Sequence, residues 1–428
     1  MVFSSHVFLL AFLPAVLALY YLCPRRWRNW LLLLGSLAFY SLATFQRLPL
    51  LLGLTAFAWL VGLALGRRRK KALLWLAVVG ILLPLALFKY GAAQLPLGLS
   101  FYAFSCIGYV ADVYCRRVQP QKNGALFALN ISFFPKLVSG PITPYAMLEQ
   151  QLIDRRESMT AFASGVELFV AGLGKKLLMA RPMGRLFTLL LAGQGSLSGW
   201  MALLAYSLQL YFDFSGYSDM ARGLGRMFGF SLPKNFNYPY TATSLTDFWR
   251  RWHMSLSAWF RDYVYIPLGG NRRGRGRMTL NLLLVWGMTG LWHGASWNFL
   301  LWGLYYGVLL TAEKLLKLPK RCPKWLRRGI TLFWVGLGWA LFYFQDLIAL
   351  GGFLKRLFSF SPTDIGSLYA ILGMLPTIAI ACIAATPAGK IFALRHPKIR
   401  LVGAVVLLLL CMAALAGQGY ESFLYFQF

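Results

Sequence analysis

Acidic residues are scarce in this chain. Its 428 residues include 13 Asp and Glu against 43 Lys and Arg, a formal net charge of +30, and only 13% of the residues are charged. In a soluble protein this excess of basic charge would favour nucleic-acid binding. Here the basic residues fall in short clusters between apolar runs, which is typical of cytoplasmic loops in membrane proteins. We therefore predict a membrane protein with no nucleic-acid partner.

Cysteine and histidine are also rare, with six and four residues. No two cysteines form a C-x-x-C pair, so the sequence favours neither a disulfide framework nor a zinc site, and four scattered histidines predict no metal cluster. The G-x-S-x-G nucleophile elbow, the phosphate-binding P-loop and the G-x-G-x-x-G dinucleotide motif are absent. The H-x-x-x-D motif of soluble acyltransferases is absent too, because Trp297 stands four residues after His293.

Long apolar runs, in contrast, are abundant. Hydrophobic residues make up 58% of the chain, and a helix crosses the bilayer with about 20 such residues. We predict an all-α, multi-pass protein of the cell membrane with about 10–12 transmembrane helices plus re-entrant and interfacial helices. It would form a single domain over residues 1–428, surrounded by membrane lipid. The main apolar runs are residues 7–22, 30–45, 73–88, 330–344, 365–385 and 401–416.

The basic clusters predict the orientation of these spans. No basic region precedes the first apolar run, so we expect that run to be kept as a span rather than cleaved, with Met1 outside and Arg25 in the cytoplasm. The clusters at residues 67–71, 272–277 and 390–400 are then cytoplasmic.

One segment between the spans does not read as a regular helix. Residues 124–145 contain Pro135, Pro141 and Pro144 together with Gly140. Such a segment predicts a re-entrant or broken helix, which a membrane tolerates only where protein or a water-filled cavity surrounds it.

His293 lies in an uncharged stretch of 35 residues, 278–312. This length exceeds one crossing of about 20 residues yet barely makes two. His293 is therefore predicted at membrane depth or at the turn of a tight helical hairpin with legs of about 17 residues. The cost of a polar ring at such depth favours a functional role. Gly290 and Gly294 bracket it, and they either open a groove beside the imidazole or serve close helix packing.

Ser244 and Asp247 have the spacing of a helix start, and the predicted helix continues to about Tyr265. An aromatic stripe on one side, with basic residues opposite, predicts an amphipathic helix in the plane of the membrane interface. His253 falls on the flank between the two sides. The stripe consists of Phe248, Trp252, Leu256, Trp259 and Tyr263.

Four arginines near this helix have two interpretations. Arg250, Arg251, Arg272 and Arg273 either fix the topology and contact anionic lipid, or they draw the phosphates of an acyl donor to a cytoplasmic entrance.

Two aspartates in residues 210–219 also have two interpretations. Asp213 and Asp219 either orient a histidine or pair with Arg222 and Arg226 about one turn away.

Six short motifs, in order along the chain, resemble the membrane-bound O-acyltransferase (MBOAT) family. Residues 134–141, 174–176 and 423–428 extend the resemblance over nearly the whole chain. Within the family, residues 266–272 and 292–299 resemble the membrane subunits of alginate and peptidoglycan O-acetyltransferases. The six motifs are Tyr-Phe-Asp-Phe-Ser-Gly-Tyr-Ser-Asp (211–219), Asn-Phe-Asn-Tyr-Pro-Tyr (235–240), Asp-Phe-Trp-Arg-Arg-Trp-His (247–253), Trp-Phe-Arg-Asp-Tyr (259–263), Ile-Pro-Leu-Gly-Gly-Asn-Arg (266–272) and Leu-Trp-His-Gly (291–294).

The resemblance implies that His293 is the active-site histidine and His253 the second functional one, beside a tunnel through the protein. No cofactor would be bound; the donor would be a cytoplasmic thioester, acyl-CoA or an acyl carrier. His293 would act as general base on the acceptor hydroxyl, while His253, Asn298 or a tryptophan N–H would steady the carbonyl oxygen. A covalent acyl-histidine is the alternative.

A polysaccharide outside the membrane is too bulky and too polar to reach a histidine at membrane depth. We therefore predict transfer of an acyl group, expected to be acetyl, to an extracytoplasmic SGNH-type acyltransferase with a Ser-His-Asp triad, which acylates a polysaccharide or cell-wall polymer. Two alternatives stay open. One is D-alanyl transfer to teichoic acid from a carrier protein, since that transfer subunit is similar at residues 247–253. The other is a non-catalytic transporter.

Overall fold

A computed structural model gives the fold and describes residues 2–91, 94–316 and 322–416. All regular secondary structure in these ranges is helical, so the all-α prediction is confirmed. Residues 423–428, which extend the family resemblance, lie outside the described residues.

Twenty α-helices occur in the described ranges. Short π-helical segments at Val7–Phe12, Lys175–Ala180 and Arg261–Tyr265 adjoin some of them. In chain order the α-helices are α1 (Leu13–Leu22), α2 (Arg28–Thr44), α3 (Leu48–Arg67), α4 (Lys71–Tyr90), α5 (Leu99–Tyr114), α6 (Gly124–Ser132), α7 (Phe134–Leu137), α8 (Tyr145–Ile153), α9 (Met159–Gly174), α10 (Arg181–Ala192), α11 (Ser196–Met227), α12 (Leu245–Trp249), α13 (Met254–Phe260), α14 (Gly274–His293), α15 (Trp297–Leu316), α16 (Lys324–Tyr343), α17 (Leu347–Phe358), α18 (Ile365–Ala384), α19 (Ala388–Arg395) and α20 (Pro397–Ala416).

Five helical stretches of the described residues are long and apolar enough to cross a membrane. The first of them contains both α2 and α3, and the segment Val7–Leu22 is apolar but shorter. The apolar runs seen in the sequence thus form helices, while the expected number of 10–12 spans stays a prediction. The five stretches are Arg25–Arg67, Lys71–Tyr90, Trp297–Leu316, Ile365–Ala384 and Pro397–Ala416.

The described chain packs as two compact units. The first contains residues 2–172 and 217–234, and the second contains residues 173–216 and 235–416. The single domain expected over the whole chain stays a prediction.

In the first unit, residues 124–145 form the broken helix that their prolines predict. Asn123 caps α6 by accepting hydrogen bonds from Ala125 N and Leu126 N. The chain breaks at Phe133, and the backbone N–H of Phe134 donates to Ser36 Oγ over 3.1 Å. A side chain of the same unit thus satisfies a backbone donor that the break frees, as irregular backbone in a membrane requires.

In the second unit, α14 and α15 form the predicted helical hairpin. Each leg has 20 residues, because α14 begins at Gly274 inside the basic cluster. The expected legs of about 17 residues were too short. A 20-residue helix is about 30 Å long, which matches the hydrocarbon thickness of a bilayer.

Candidate active site

The hairpin fixes the position of His293. This residue is the last of α14, and only residues 294–296 separate it from α15. Its side chain is buried, with 7% exposure. The turn of the hairpin thus holds the imidazole inside the protein.

Glycines bring the two legs of the hairpin close together near His293. A Cβ atom on Gly290 would overlap Phe299 O, and one on Gly303 would overlap Trp286 O. A Cβ atom on Gly294 would overlap the Phe299 ring. Of the two interpretations of Gly290 and Gly294, the contacts therefore favour close packing.

The helix predicted from Ser244 to about Tyr265 is interrupted, so that prediction was wrong. Its start is confirmed, because Ser244 Oγ accepts a hydrogen bond from Asp247 N at 3.0 Å. However, α12 ends at Trp249 and α13 begins at Met254. At the break, His253 adopts φ 44° and ψ 52°, a left-handed conformation that is uncommon for residues other than glycine.

Residues 235–237 explain this break. Met254 N donates to Asn235 O at 2.9 Å, and Asn237 N donates to Arg251 O at 2.9 Å. These bonds replace those of a continuous helix. A contact with a segment distant in sequence overrides the local helix pattern.

Asn235 also holds His253 itself. Its Oδ1 accepts hydrogen bonds from Ser255 N at 3.0 Å and from Ser255 Oγ at 2.9 Å. The same oxygen lies 3.3 Å from His253 Nδ1, and the Phe214 ring packs against the imidazole at a centroid distance of 4.7 Å. No local pattern predicts this role of Asn235, but its place at the start of the motif at residues 235–240 is a signal for it.

The aromatic stripe of this region faces the protein interior. Phe248 is 0% exposed, and Trp252, Leu256 and Trp259 are between 4% and 8% exposed. The expected amphipathic helix with its apolar side in the membrane interface is therefore corrected. Within the protein, Trp252 packs on Phe248 and Phe236, while the fifth residue of the stripe, Tyr263, is half-buried.

Both histidines line one cavity of about 220 Å³ in the second unit. Trp292 lies between them, with ring centroids 6.1 Å from His253 and 5.0 Å from His293. The structure thus brings together the two histidines that the resemblance implies. Tryptophans form much of the remaining wall: Trp249, Trp252, Trp286 and Trp302.

Aromatic rings enclose His293 closely. The ring centroids of Trp302, Phe342 and Phe299 lie 5.0, 5.1 and 6.5 Å from the centroid of its imidazole. The imidazole therefore lies in a largely aromatic environment.

Three basic side chains line the same cavity: Arg250, Arg261 and Lys314. Of the four arginines expected to bind the donor, Arg250 alone is among them. Arg261 and Lys314 were not among the predicted donor-binding residues, because they are far apart in the sequence and meet only in the fold. Arg261 is ion-paired with Asp262, with Nε and Oδ1 2.7 Å apart.

The other three arginines on the expected donor site lie elsewhere. Arg251 pairs with Asp247 over 2.8 Å. Arg272 and Arg273 are exposed and are not part of the cavity wall. This set is better suited to the alternative role at the membrane surface.

Asn298 is engaged in holding the hairpin to α16. Its Nδ2 donates to Leu341 O at 3.2 Å and to Phe342 O at 3.0 Å, and its Oδ1 accepts from Ser296. The amide donors are therefore directed at backbone carbonyls. Asn298 thus braces the hairpin against α16.

The two aspartates of α11 form ion pairs. Asp213 accepts from Lys176 Nζ at 2.5 Å, with both side chains buried. Asp219 accepts from Arg222 at 3.2 Å. Pairing holds for both, although the partner of Asp213 is the lysine of residues 174–176 and not an arginine one turn away.

Burial keeps His253 uncharged. This residue lies outside the membrane-spanning stretches, and desolvation lowers the pKa of its imidazole from 6.5 to about 3. A charged ring without water around it is unfavourable, so the neutral form is present at physiological pH. His253 would act as a neutral hydrogen-bonding group.

The comparison with protein families identifies the class. The family model described as "MBOAT, membrane-bound O-acyltransferase family" matches residues 117–350. The chain belongs to this family, and it is an integral membrane acyltransferase. The cavity with both histidines lies inside the matched range.

The chain is also similar to individual members of the family and to related transferases. "Probable alginate O-acetylase AlgI" of Pseudomonas putida is 37% identical over an alignment that covers 100% of both chains. "Peptidoglycan O-acetyltransferase" of Helicobacter pylori is 34% identical, with 81% of this chain and 78% of that protein covered. "Teichoic acid D-alanyltransferase" of Bacillus subtilis is 29% identical over 54% of this chain and 62% of that protein.

Proposed function

We propose that this protein transfers an acetyl group from a cytoplasmic thioester donor through the membrane, for O-acetylation of an extracytoplasmic polysaccharide by a partner protein. One observation carries the proposal: His293, His253 and three basic side chains line a single cavity. The relatives named as O-acetylases and O-acetyltransferases support acetyl as the group and a polysaccharide or peptidoglycan as the final acceptor.

The basic side chains of the cavity receive the donor. We place Arg250, Arg261 and Lys314 at the cytoplasmic side, because the basic cluster at residues 272–277 is expected there. A coenzyme A or carrier thioester has phosphates that pair with arginine and lysine. Its acyl end would then extend past the tryptophans toward His293. Arg272 and Arg273 lie outside this path.

His293 acts as the general base. One imidazole nitrogen removes the proton of the acceptor hydroxyl as its oxygen attacks the thioester carbonyl carbon. The new C–O bond forms and the C–S bond breaks. The imidazolium then donates the proton to the leaving thiolate. The charges balance, and no group beyond donor and acceptor is consumed.

Tryptophan N–H groups stabilise the carbonyl oxygen in this proposal. The Nε1 atoms of Trp249 and Trp302 are buried, and no hydrogen-bond acceptor among the described residues reaches them. A buried donor without an acceptor is costly in the resting protein. An oxygen that becomes negative during the reaction would satisfy it.

The acceptor hydroxyl at His293 belongs to a partner protein. A cavity of about 220 Å³ holds an acyl group and a thiol arm but not a polysaccharide strand. We propose an SGNH-type acyltransferase on the outer side, whose catalytic serine receives the acetyl group and passes it to the glycan. The D-alanyl alternative has weaker support, because the relative of that name is less similar and covers less of the chain.

Reconstitution tests this relay. Proteoliposomes with the full chain are loaded with [acetyl-¹⁴C]acetyl-CoA, and a purified SGNH-type partner and an acceptor polysaccharide are added outside. We expect labelled glycan only when chain and partner are both present. Efficient labelling of glycan by the chain alone would contradict the relay. If a labelled D-alanyl carrier protein labels the acceptor but acetyl-CoA does not, the transferred group is D-alanyl and not acetyl.

A further inference from the structure

A second, larger cavity lies in the same unit, apart from the histidines. Its volume is about 410 Å³, and no residue of its wall belongs to the cavity of His293. Side chains of α11, α16 and the end of α18 form it. On α11 the lining residues repeat at helical spacing and define one face of that helix: Trp200, Leu203, Leu204, Ser207 and Leu208.

The wall of this cavity is apolar in character, although it contains hydroxyl groups. Tyr240 donates to Ser207 O at 2.6 Å, and Ser207 donates to Leu203 O at 2.7 Å. Thr241 and Thr386 each donate to a nearby backbone carbonyl at 2.7 Å. These hydroxyls already have acceptors, so the wall favours an apolar occupant.

One charged residue lines the cavity. Arg328 is exposed, and no described acidic side chain pairs with it. It lies near the start of α16, where Lys324 and Arg327 add two more cations and the first turn has no acid. Cations at the positive end of a helix are unfavourable in isolation. The sequence also has no Asp or Glu from Lys314 to Gln345, so the local charge is strongly positive and attracts an anionic ligand.

We propose that this cavity binds an anionic phospholipid, with an acyl chain between α11, α16 and α18 and the phosphate at Arg328. Basic pockets between transmembrane helices commonly take lipid head groups of this charge. Long basic side chains reach the head-group region while the apolar part of the site stays at membrane depth. The inference does not depend on the proposed function, because the cavity of His293 is separate.

Gly329 allows the acyl-chain part of the site to be tested. It lines the cavity, and a Cβ atom added there would meet no atom within 4 Å. Gly329→Leu is therefore expected to place its side chain in the cavity with no clash at Cβ, and it would improve helix propensity by about 1 kcal/mol. Gly373→Leu is the matched control, since this glycine of α18 also faces open space but does not line the cavity.

The head-group part is tested by Arg328→Gln, with Lys398→Gln on α20 as control for the loss of one exposed cation. Native mass spectrometry of the detergent-solubilised full chain compares retention of phosphatidylglycerol and phosphatidylcholine with equal acyl chains. We expect wild type and both controls to prefer phosphatidylglycerol. Arg328→Gln should weaken this preference about fivefold, and Gly329→Leu should reduce retention of both lipids. Unchanged retention in Gly329→Leu, or an equal preference in Arg328→Gln and wild type, would overturn the proposal. A wild-type protein that shows no head-group preference would also overturn the proposal. That result is expected if a helix of another protein fills the cavity.

Discussion

The imidazole of His293 and the indole of Trp302 meet edge to face, with ring centroids 5.0 Å apart at an interplanar angle of 80°. Trp302 is 1% exposed and contributes both a wall of the cavity and a buried N–H group. In the proposed reaction the wall limits the length of the acyl group, and the N–H stabilises the carbonyl oxygen. Two substitutions separate these roles.

Trp302→Phe keeps most of the wall and removes the N–H donor. Loss of one such donor lowers kcat about 10²–10³-fold in other enzymes, so we expect a marked fall in kcat with acetyl donor and little change in KM. Trp302→Ala should in addition raise the rate with a butanoyl thioester relative to an acetyl thioester. Steady-state kinetics with both donors measures this. A Trp302→Phe enzyme with wild-type kcat would exclude the indole as donor.

The hairpin of α14 and α15 depends on Gly290. A methyl group there would overlap Phe299 O, and such overpacking costs about 1–3 kcal/mol. We expect Gly290→Ala to lower the thermal denaturation temperature and to displace His293. Gly276→Ala in the same helix is the control, because its Cβ would meet no atom within 4 Å. Equal denaturation temperatures for the two variants would show that the hairpin is looser than described.

His253 makes the protein sensitive to acid. Its pKa is lowered from 6.5 to about 3 by burial. Below pH 6.5 the imidazole is therefore protonated in the unfolded chain but stays neutral in the folded chain. Stability is therefore fully present above pH 6.5 and falls as the pH drops toward 3, by about 2 kcal/mol between pH 7 and pH 5. His253→Asn removes this titration, and asparagine tolerates the left-handed conformation.

Thermal denaturation of wild type and His253→Asn in the same detergent at pH 7 and pH 5 measures this effect. The wild type should lose more stability than the variant over this interval. Parallel losses in both proteins would mean that His253 stays hydrated and titrates normally.

Sequence patterns predicted those features that depend on neighbouring residues. The hairpin around His293 followed from the length of an uncharged run, and the break near Phe133 followed from prolines. The turn at His253 did not, because it results from hydrogen bonds to Asn235, 18 residues away. The meeting of Arg250, Arg261 and Lys314 in one cavity depends on three helices, and no local pattern contains that information.

The sequence left open whether His253, Asn298 or a tryptophan N–H steadies the carbonyl oxygen. Both acceptors of the Asn298 amide are carbonyls of α16, over forty residues later in the chain, and no local pattern predicts them. Likewise the partner of Asp213 proved to be Lys176, 37 residues away. Spacing along one helix predicts an aspartate's nearest basic neighbour but not its partner in the fold.

In the proposed reaction, His293 is the base of acyl transfer. The most direct measurement is the rate of [¹⁴C]acetyl transfer from acetyl-CoA to the SGNH-type partner by purified wild type, His293→Ala and the control His396→Ala, whose histidine is exposed. We predict a fall of roughly 10²–10⁴-fold for His293→Ala, with its denaturation temperature near that of wild type and full activity in His396→Ala. A folded His293→Ala protein that transfers acetyl at the wild-type rate would contradict the account.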